Sequence, residues 1–226
     1  MAQQDEQIDR EAIAAEIDAE IRALRAKPKT QDVRAVRRKF SRRLKNVAAE
    51  EVIGVAWQLL TRHGRRWVAY ELIYKHTSAL RSLRPRQIKQ FGRGINSWGS
   101  TDVFAGYLSG PAWREGQLSD RTIQGWARSG NRWWRRAALV STTALNVKAR
   151  GGRGDVPRTL KVCCILVDDR DDMVVKAMSW ALRELVQHDP KAVRGFLAKH
   201  EDALAARVKR EVRNKLTTGL KNPRRR

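Results

Sequence analysis

Two segments of this sequence place an aromatic ring where it could share a helix face with a charged group. In the stretch NSWGSTD, a helix capped by Ser97 would put Trp98 and Asp102 at positions i and i+4, on the same face. A carboxylate beside an aromatic ring can stabilise developing positive charge, as in the oxocarbenium-like state that forms when a glycosidic bond breaks. The simpler interpretation is that Asp102 only caps a helix that starts after Gly99 and Ser100. The spacing is compatible with both interpretations.

Trp180 is the second aromatic residue in an unusual position. At about 100° per residue it lies about 130° from the centre of the apolar stripe of its helix, and within about 60° of polar residues. The apolar stripe consists of Val174, Met178, Ala181 and Leu185, and the polar residues are Lys176, Arg183 and Gln187. A large ring on a basic face is typical of stacking on a base, a sugar or a cation. Trp57 and Trp133 instead lie on apolar stripes, and we expect both in the core.

Arginines supply the candidate contacts to phosphates. Arg136 lies about 60° from the apolar stripe of residues 131–147, so its stem should pack while its guanidinium makes a bidentate phosphate contact. Arg135 should point nearly opposite that stripe, to solvent. A basic run over residues 34–45, which includes Arg38, is a further candidate for contacts with a nucleic-acid backbone.

The charge of the whole chain indicates the same partner. Its 226 residues carry 47 Lys and Arg against 24 Asp and Glu, a formal net charge of +23. Residues 1–20 hold seven acids and one base, so the remainder of the chain carries +29. Because such a surface repels itself without a polyanion, nucleic acid is the expected partner. A hydrophobic content of 42% excludes a disordered polycation.

Several classes of protein are excluded by what the sequence lacks. No apolar run approaches the ~20 residues of a membrane span, and the acidic N-terminal segment has no signal-peptide core. We therefore expect a cytoplasmic, nucleoid-associated protein with no membrane contact. Motifs for nucleotide binding, metalloprotease chemistry and a nucleophile elbow are absent, and the four histidines have no ligand spacing. We expect neither a metal nor a cofactor.

Hydrophobic periodicity is helical almost throughout. Residues 48–62, 131–147 and 172–187 repeat apolar side chains at helical spacing, and no segment alternates long enough to predict a sheet. Breakers such as Gly110-Pro111 should end the helices. Similar helices that begin 40 residues apart suggest HEAT-like repeats. The sequence therefore predicts an all-α, C-shaped solenoid of HEAT-like helical repeats with a basic concave face.

Three parts are expected along the chain. Residues 1–28 form an N-terminal acidic helix, residues 29–218 form the HEAT-like repeat domain, and residues 219–226 form a basic disordered tail. Within the domain, the Gly-rich basic segment 148–158 cannot be helical throughout. This segment and the tail could both touch phosphates without specificity.

Several of these motifs occur together in a known family. The sequence resembles the AlkD-like DNA alkylation repair family, all-helical HEAT-like-repeat DNA glycosylases. The resemblance rests on NSWGSTDVF (96–104), RWWRRAAL (132–139) and DMVVKAMSWALREL (172–185), with VAYELIYKH (68–76) similar to an earlier helix. It covers residues from about 30 to 218, and the motifs follow in the family's order. The segment 148–158 looks longer than is usual in the family.

The resemblance implies an activity and a set of site residues. Asp102 matches the family's catalytic aspartate, Trp98 the aromatic residue four positions before it, and Trp180 the second aromatic wall of the cleft. Arg136 and Arg183 match positions that contact the DNA backbone, and Lys176, Arg135 and Arg38 complete the candidate DNA contacts. The family hydrolyses N-glycosidic bonds of positively charged N3- and N7-alkylated purines without drawing the base into a pocket, unlike base-flipping enzymes. Double-stranded DNA with alkylated bases is then the partner, in base excision repair, and we expect a monomer.

Two other functions remain open at this point. Some relatives of this fold bind damaged or branched DNA without excising a base, so a noncatalytic HEAT-like module is the main alternative. An RNA-binding or scaffold solenoid is the third, and a scaffold explains neither the charge nor the aromatic and acidic cluster. The presence of Trp98, Asp102, Arg136 and Trp180 together favours an active enzyme.

Overall fold

The computed structural model describes residues 8–223, and that part of the chain is helical with no strand. The all-α prediction is therefore confirmed. The helices pack against sequence neighbours and against helices two or three further along, as helical repeats do. The chain divides into two compact units, one ending at Arg93 and the other beginning at Gly94. The C-shaped curvature and the boundaries at residues 28 and 218 stay predictions.

Within residues 8–93, the first unit contains six helices. They are α1 (Arg10–Ala23), α2 (Thr30–Arg43), α3 (Ala49–Thr61), α4 (Arg66–Lys75), α5 (Thr77–Ser82) and α6 (Pro85–Phe91). The acidic helix α1 begins at its N-cap Asp9 and buries Ile13, Ile17 and Ile21. Its buried Asp18 accepts hydrogen bonds from Arg65 (2.6 Å) and pairs with Arg22 (2.7 Å). Both apolar burial and ion pairing thus attach this acidic helix to the unit.

The second unit contains the candidate site. Its helices are α7 (Trp98–Phe104), α8 (Gly110–Arg114), α9 (Asp120–Ala127), α10 (Arg132–Ser141), α11 (Thr143–Asn146), α12 (Val156–Ile165), α13 (Asp172–Leu185), α14 (Pro190–Lys199) and α15 (Ala206–Thr218). Helix α10 packs against both α7 and α13, and α13 packs against α15. These four helices form one row through the unit, here called the α7–α15 row. The sequence motifs 96–104, 132–139 and 172–185 all lie on it.

The expected break at Gly110-Pro111 is wrong. Residues Ala105–Ser109 form a π-helical turn that joins α7 to α8, so the chain stays helical from Trp98 to Arg114. The N–H of Gly110 donates to the carbonyl of Ala105, five residues back. A proline inside an α-helix clashes with the carbonyl four residues before it. The wider turn accommodates Pro111 without ending the helix.

The glycine-rich segment is a short, closely bonded loop. A 3-10 turn spans Lys148–Arg150, and α12 begins at Val156, so the segment is not helical throughout, as predicted. Gly151 and Gly154 have φ angles of +85° and +89°, which side chains rarely tolerate.

The ends of the chain lie partly outside the described residues. This applies to residues 1–7 of the expected acidic helix and residues 224–226 of the expected tail. Gly219, with a φ of +74°, closes α15. Over residues 8–223, no helix is both long enough and apolar enough to cross a membrane.

Neither Trp57 nor Trp133 lies in the core, so the expectation for both is wrong. Trp57 is 37% exposed, with its ring edge-on to Phe91 at 5.3 Å. Trp133 is only partly buried and carries the Arg132 guanidinium over its ring at 5.0 Å. The physical reason is that an apolar stripe shows which residues could pack, but not how far the neighbouring helix covers each ring.

Candidate functional site

The start of α7 is fixed by a reciprocal cap. Ser97 is the N-cap residue, and its Oγ accepts from the N–H of Ser100 at 3.2 Å, while Ser100 Oγ accepts from the N–H of Ser97 at 3.1 Å. The helix therefore begins at Trp98, and Trp98 and Asp102 are i and i+4 on it. The interpretation of Asp102 as a helix cap is excluded.

Asp102 forms a bidentate ion pair with Arg136 of α10. Arg136 Nε donates to Asp102 Oδ1 at 2.8 Å, and its second terminal nitrogen donates to Oδ2 at 2.7 Å. The remaining nitrogen donates to the carbonyl of Met173 on α13 at 2.5 Å. Arg136 is buried, whereas the Asp102 side chain keeps 19% of its surface exposed. One guanidinium thus joins three helices of the α7–α15 row and orients the carboxylate.

Burial raises the pKa of Asp102 above its ordinary value, although the hydrogen bond and the charge of Arg136 act to lower it. Each carboxylate oxygen has two lone pairs, and the arginine uses one on each. The exposed remainder of the group can therefore still accept a hydrogen bond or face a positive charge.

The two candidate cleft aromatics differ in exposure. Trp98 is 63% exposed, which is exceptional for a side chain of its size. Trp180 is partly buried on α13, and its indole Nε1 donates to Glu184 Oε1 at 2.9 Å, one turn further along. Trp180 lies seven residues after Met173, close to the same helix face and about 10 Å along the axis. The face predicted for Trp180 therefore also carries the carbonyl that Arg136 contacts.

The other basic candidates on α13 have partners. Lys176 is exposed and pairs with Asp172 at 2.7 Å. Arg183 Nε donates to Ser179 Oγ at 3.2 Å, and Ser179 Oγ donates to the buried Glu211 of α15 at 2.6 Å. Burial lowers the pKa of Arg183, while the charges of Glu211 and Glu184 raise it.

Arg135 and Arg38 occupy quite different surroundings. The expectation that Arg135 points to solvent is wrong: its Nε donates to Asp169 at 2.7 Å, and a terminal nitrogen donates to the carbonyls of Ser129 and Gly130. The α9–α10 connection folds back over it, which no helical wheel of α10 can indicate. Arg38 is exposed on α2 in the first unit and has no hydrogen bond or ion pair with the described residues.

Sequence reasoning missed three supporting features. Glu184 holds the Trp180 indole, and the i, i+4 spacing could have revealed it. The Met173 carbonyl could not be found, because a backbone group leaves no signal in the residue type. Behind Asp102, Phe104 packs against Trp126 and Trp134 with ring centroids 5.9 and 5.8 Å away, which anchors α7 to α9 and α10.

The described residues contain no group of three or more His, Cys, Asp or Glu side chains that could hold a metal ion.

Neither the search of curated proteins nor the search of solved structures found a match to the chain. A family model described as DNA alkylation repair enzyme matches residues 28–216. That match includes α7, α10 and α13, with Asp102 and Arg136, and extends to Leu216 in α15, and it supports a role in the repair of alkylated DNA. The chain belongs to the DNA alkylation repair enzyme family.

Proposed function

We propose that this protein is a DNA glycosylase that removes positively charged N3- and N7-alkylated purines from duplex DNA, as the first step of base excision repair. The observation that carries the proposal is the Asp102 carboxylate, oriented by Arg136 at 2.7 and 2.8 Å and still partly exposed, one helical turn from an exposed tryptophan. A carboxylate in a strongly cationic protein repels the DNA backbone. The position of Asp102 on the helix that carries Trp98 therefore indicates a functional role.

The chemistry is assigned to Asp102. The bond between C1′ and the base nitrogen breaks, and its electron pair neutralises the cationic base, which leaves without a proton. No general acid is then required. Asp102 stabilises the positive charge that develops on the sugar, and a water molecule adds to C1′ and loses a proton to solvent.

The tryptophans are assigned to the sugar. Trp98 and Trp180 contact the deoxyribose of the lesion, so the base need not enter a pocket, and bulky adducts could be accepted. Arg183, Lys176 and Arg38 are assigned to the DNA backbone, whereas Arg135 is bonded to Asp169, Ser129 and Gly130 and is left out of that set. Arg136 has all three nitrogens engaged within the protein, so its main role is to hold Asp102 rather than to bind a phosphate.

A noncatalytic module for damaged or branched DNA is the second candidate. The observation that favours it is the same ion pair, because a carboxylate with an arginine on both oxygens is partly neutralised. The two functions differ in whether a base is released.

Base release from duplex DNA that carries 7-methylguanine or 3-methyladenine tests the proposal, measured by chromatography. The wild type should release the base, and Asp102→Asn should release it about 10²–10⁴-fold more slowly, because the charge that stabilises the sugar cation is lost. DNA binding by Asp102→Asn should be retained.

Asp169→Asn is the matched control, since it removes a similar carboxylate from Arg135, the residue next to Arg136. It should excise the base at a rate close to that of the wild type. No release by the wild type, combined with tight binding to branched DNA, would establish the noncatalytic function instead.

A further inference from the structure

The second unit holds a basic cavity that none of the proposed catalytic residues lines. Its volume is about 500 Å³, and the charged side chains around it are Arg114, Arg153, Arg158, Glu115 and Asp155. The three arginines outnumber the two carboxylates by one positive charge. The remaining wall includes the positive-φ glycines of the loop 148–155.

Both carboxylates of the cavity are already paired. Glu115 accepts from Arg114 Nε at 2.9 Å, and Asp155 accepts from Arg158 Nε at 2.6 Å. Arg114 also donates to the carbonyl of Arg150 at 2.6 Å, and Arg158 to that of Trp113 at 3.2 Å. These two arginines are therefore fixed in the wall.

Arg153 differs from the other two arginines. It is exposed and makes no hydrogen bond or ion pair with any residue of the described chain. It is thus the side chain of this wall that contributes an uncompensated positive charge.

The backbone around Arg153 is rigid, although the segment is rich in glycine. The N–H of Gly152 donates to the carbonyl of Val147, and that of Gly154 to the carbonyl of Leu145, both at 3.0 Å. A Cβ on Gly154 would lie 2.7 Å from the ring of His188. His188 Nε2 in turn lies 2.6 Å from the carbonyl of Asn146, the last residue of α11, so the ring that packs against Gly154 is itself held in place.

We propose that the loop 148–155 is a second phosphate-binding site, in which Arg153 contacts a phosphodiester of the bound DNA strand. A guanidinium matches two phosphate oxygens, and a rigid backbone reduces the conformational entropy lost on binding. The ligand is assigned to DNA because the protein belongs to a DNA repair family. The inference requires DNA binding but not base excision, so it can be tested with undamaged DNA.

The test is the salt dependence of binding to an undamaged duplex, followed by fluorescence anisotropy on the full chain. Arg153→Ala should weaken binding several-fold at low salt and reduce the slope of log K against log[salt] by about 0.9, the value for one lost phosphate contact. Arg194→Ala on α14 is the matched control, because Arg194 is also exposed and has no partner in the described chain. It should change affinity much less. If the two variants weakened DNA binding equally, the loss of one positive charge from the protein would explain the effect, and the proposal would be overturned.

A second variant tests the loop geometry with Arg153 in place. Gly154→Ala combines a φ of +89° with a clash against His188, so it should displace the loop and weaken DNA binding while thermal melting shows a folded protein. Wild-type affinity in this variant would contradict the proposal.

Inorganic phosphate distinguishes the source of the ligand. If phosphate raises the Tm of the wild type but not of Arg153→Ala, and the DNA salt slope is unchanged, the site binds free phosphate and the assignment to DNA is overturned.

Discussion

Arg136 combines two roles that mutagenesis cannot easily separate. Its guanidinium orients the Asp102 carboxylate and also binds the Met173 carbonyl, so it contributes to the site and to the packing of three helices. Removing it would leave a partly buried carboxylate without its partner, a change that typically costs about 3–5 kcal/mol. A loss of activity in Arg136→Ala therefore does not identify a DNA contact. Asp102→Asn is the cleaner substitution, because it keeps the volume of the side chain.

The pKa of Asp102 predicts how activity depends on pH. Asp102 must be ionised to stabilise a sugar cation, and burial raises its pKa. The rate of base release should therefore fall on the acid side at a pH above the ordinary aspartate value of about 3.9. The measurement is the pH profile of kcat/KM, corrected for spontaneous depurination.

Over the pH range in which Asp102 ionises, activity should rise with pH, whereas the contribution of Asp102 to the stability of the fold should fall. Because the folded state binds this proton more tightly than the unfolded chain does, ionisation of Asp102 lowers the free energy of unfolding as pH rises. Circular dichroism should thus find the protein folded where activity is already lost. Coincident loss of structure and activity would contradict the assignment.

At the scale of elements, the π-helical turn after α7 depends on one glycine. A Cβ on Gly110 would lie 2.7 Å from the carbonyl oxygen of Ala105 and 2.7 Å from the Ala144 side chain. We expect Gly110→Ala to lower the free energy of unfolding by about 2 kcal/mol, through overpacking in a close-packed interior. Urea unfolding followed by tryptophan fluorescence measures this, since six of the eight tryptophans lie after Gly94.

Gly125→Ala is the control for that experiment. Gly125 lies inside α9 with no atom within 4 Å of its hypothetical Cβ. The substitution should stabilise the protein by about 0.5–1 kcal/mol, since alanine favours a helix. If both variants had the same free energy of unfolding, the close contacts at Gly110 would not restrict the side chain there, and the prediction would be wrong.

The sequence predicted the elements better than their contacts. Helical spacing located α3, α10 and α13, and the Ser97 cap correctly set the phase of Trp98 and Asp102, because these features depend on residues close in the chain. The carboxylate partners of Arg135 and Arg136 could not be predicted, since each lies 34 residues away in the chain. The π turn was missed because Gly-Pro also marks an ordinary helix end.

For the whole molecule, the acidic and basic charges are distributed unequally. Part of the excess positive charge is neutralised in the first unit, where two acids of α1 pair with two bases of α2. Glu16 pairs with Arg43, and Glu20 pairs with Lys39. These pairs are exposed and contribute little to stability. They nevertheless reduce the net charge of α2, which carries Arg38.

The remaining charge predicts binding that is strong at low salt and independent of sequence. We expect affinity for undamaged duplex DNA to fall about 10³-fold between 50 and 200 mM salt, as counterions released by about six phosphate contacts would require. Anisotropy titrations on two duplexes of unrelated sequence measure this. Salt-insensitive binding, or a large difference between the duplexes, would indicate that the charge is not what holds the DNA.

The π turn has a consequence for how the helix that carries Asp102 is compared with other helices. A π turn adds one residue without adding a turn, so the rotational phase counted from Trp98 is offset by about 100° beyond Ser109. A helical wheel drawn through residues 98–114 would therefore misplace the buried Trp113. An alignment of this segment with an uninterrupted helix needs a one-residue gap, and without it either Asp102 before the turn or Trp113 after it would be matched to the wrong position.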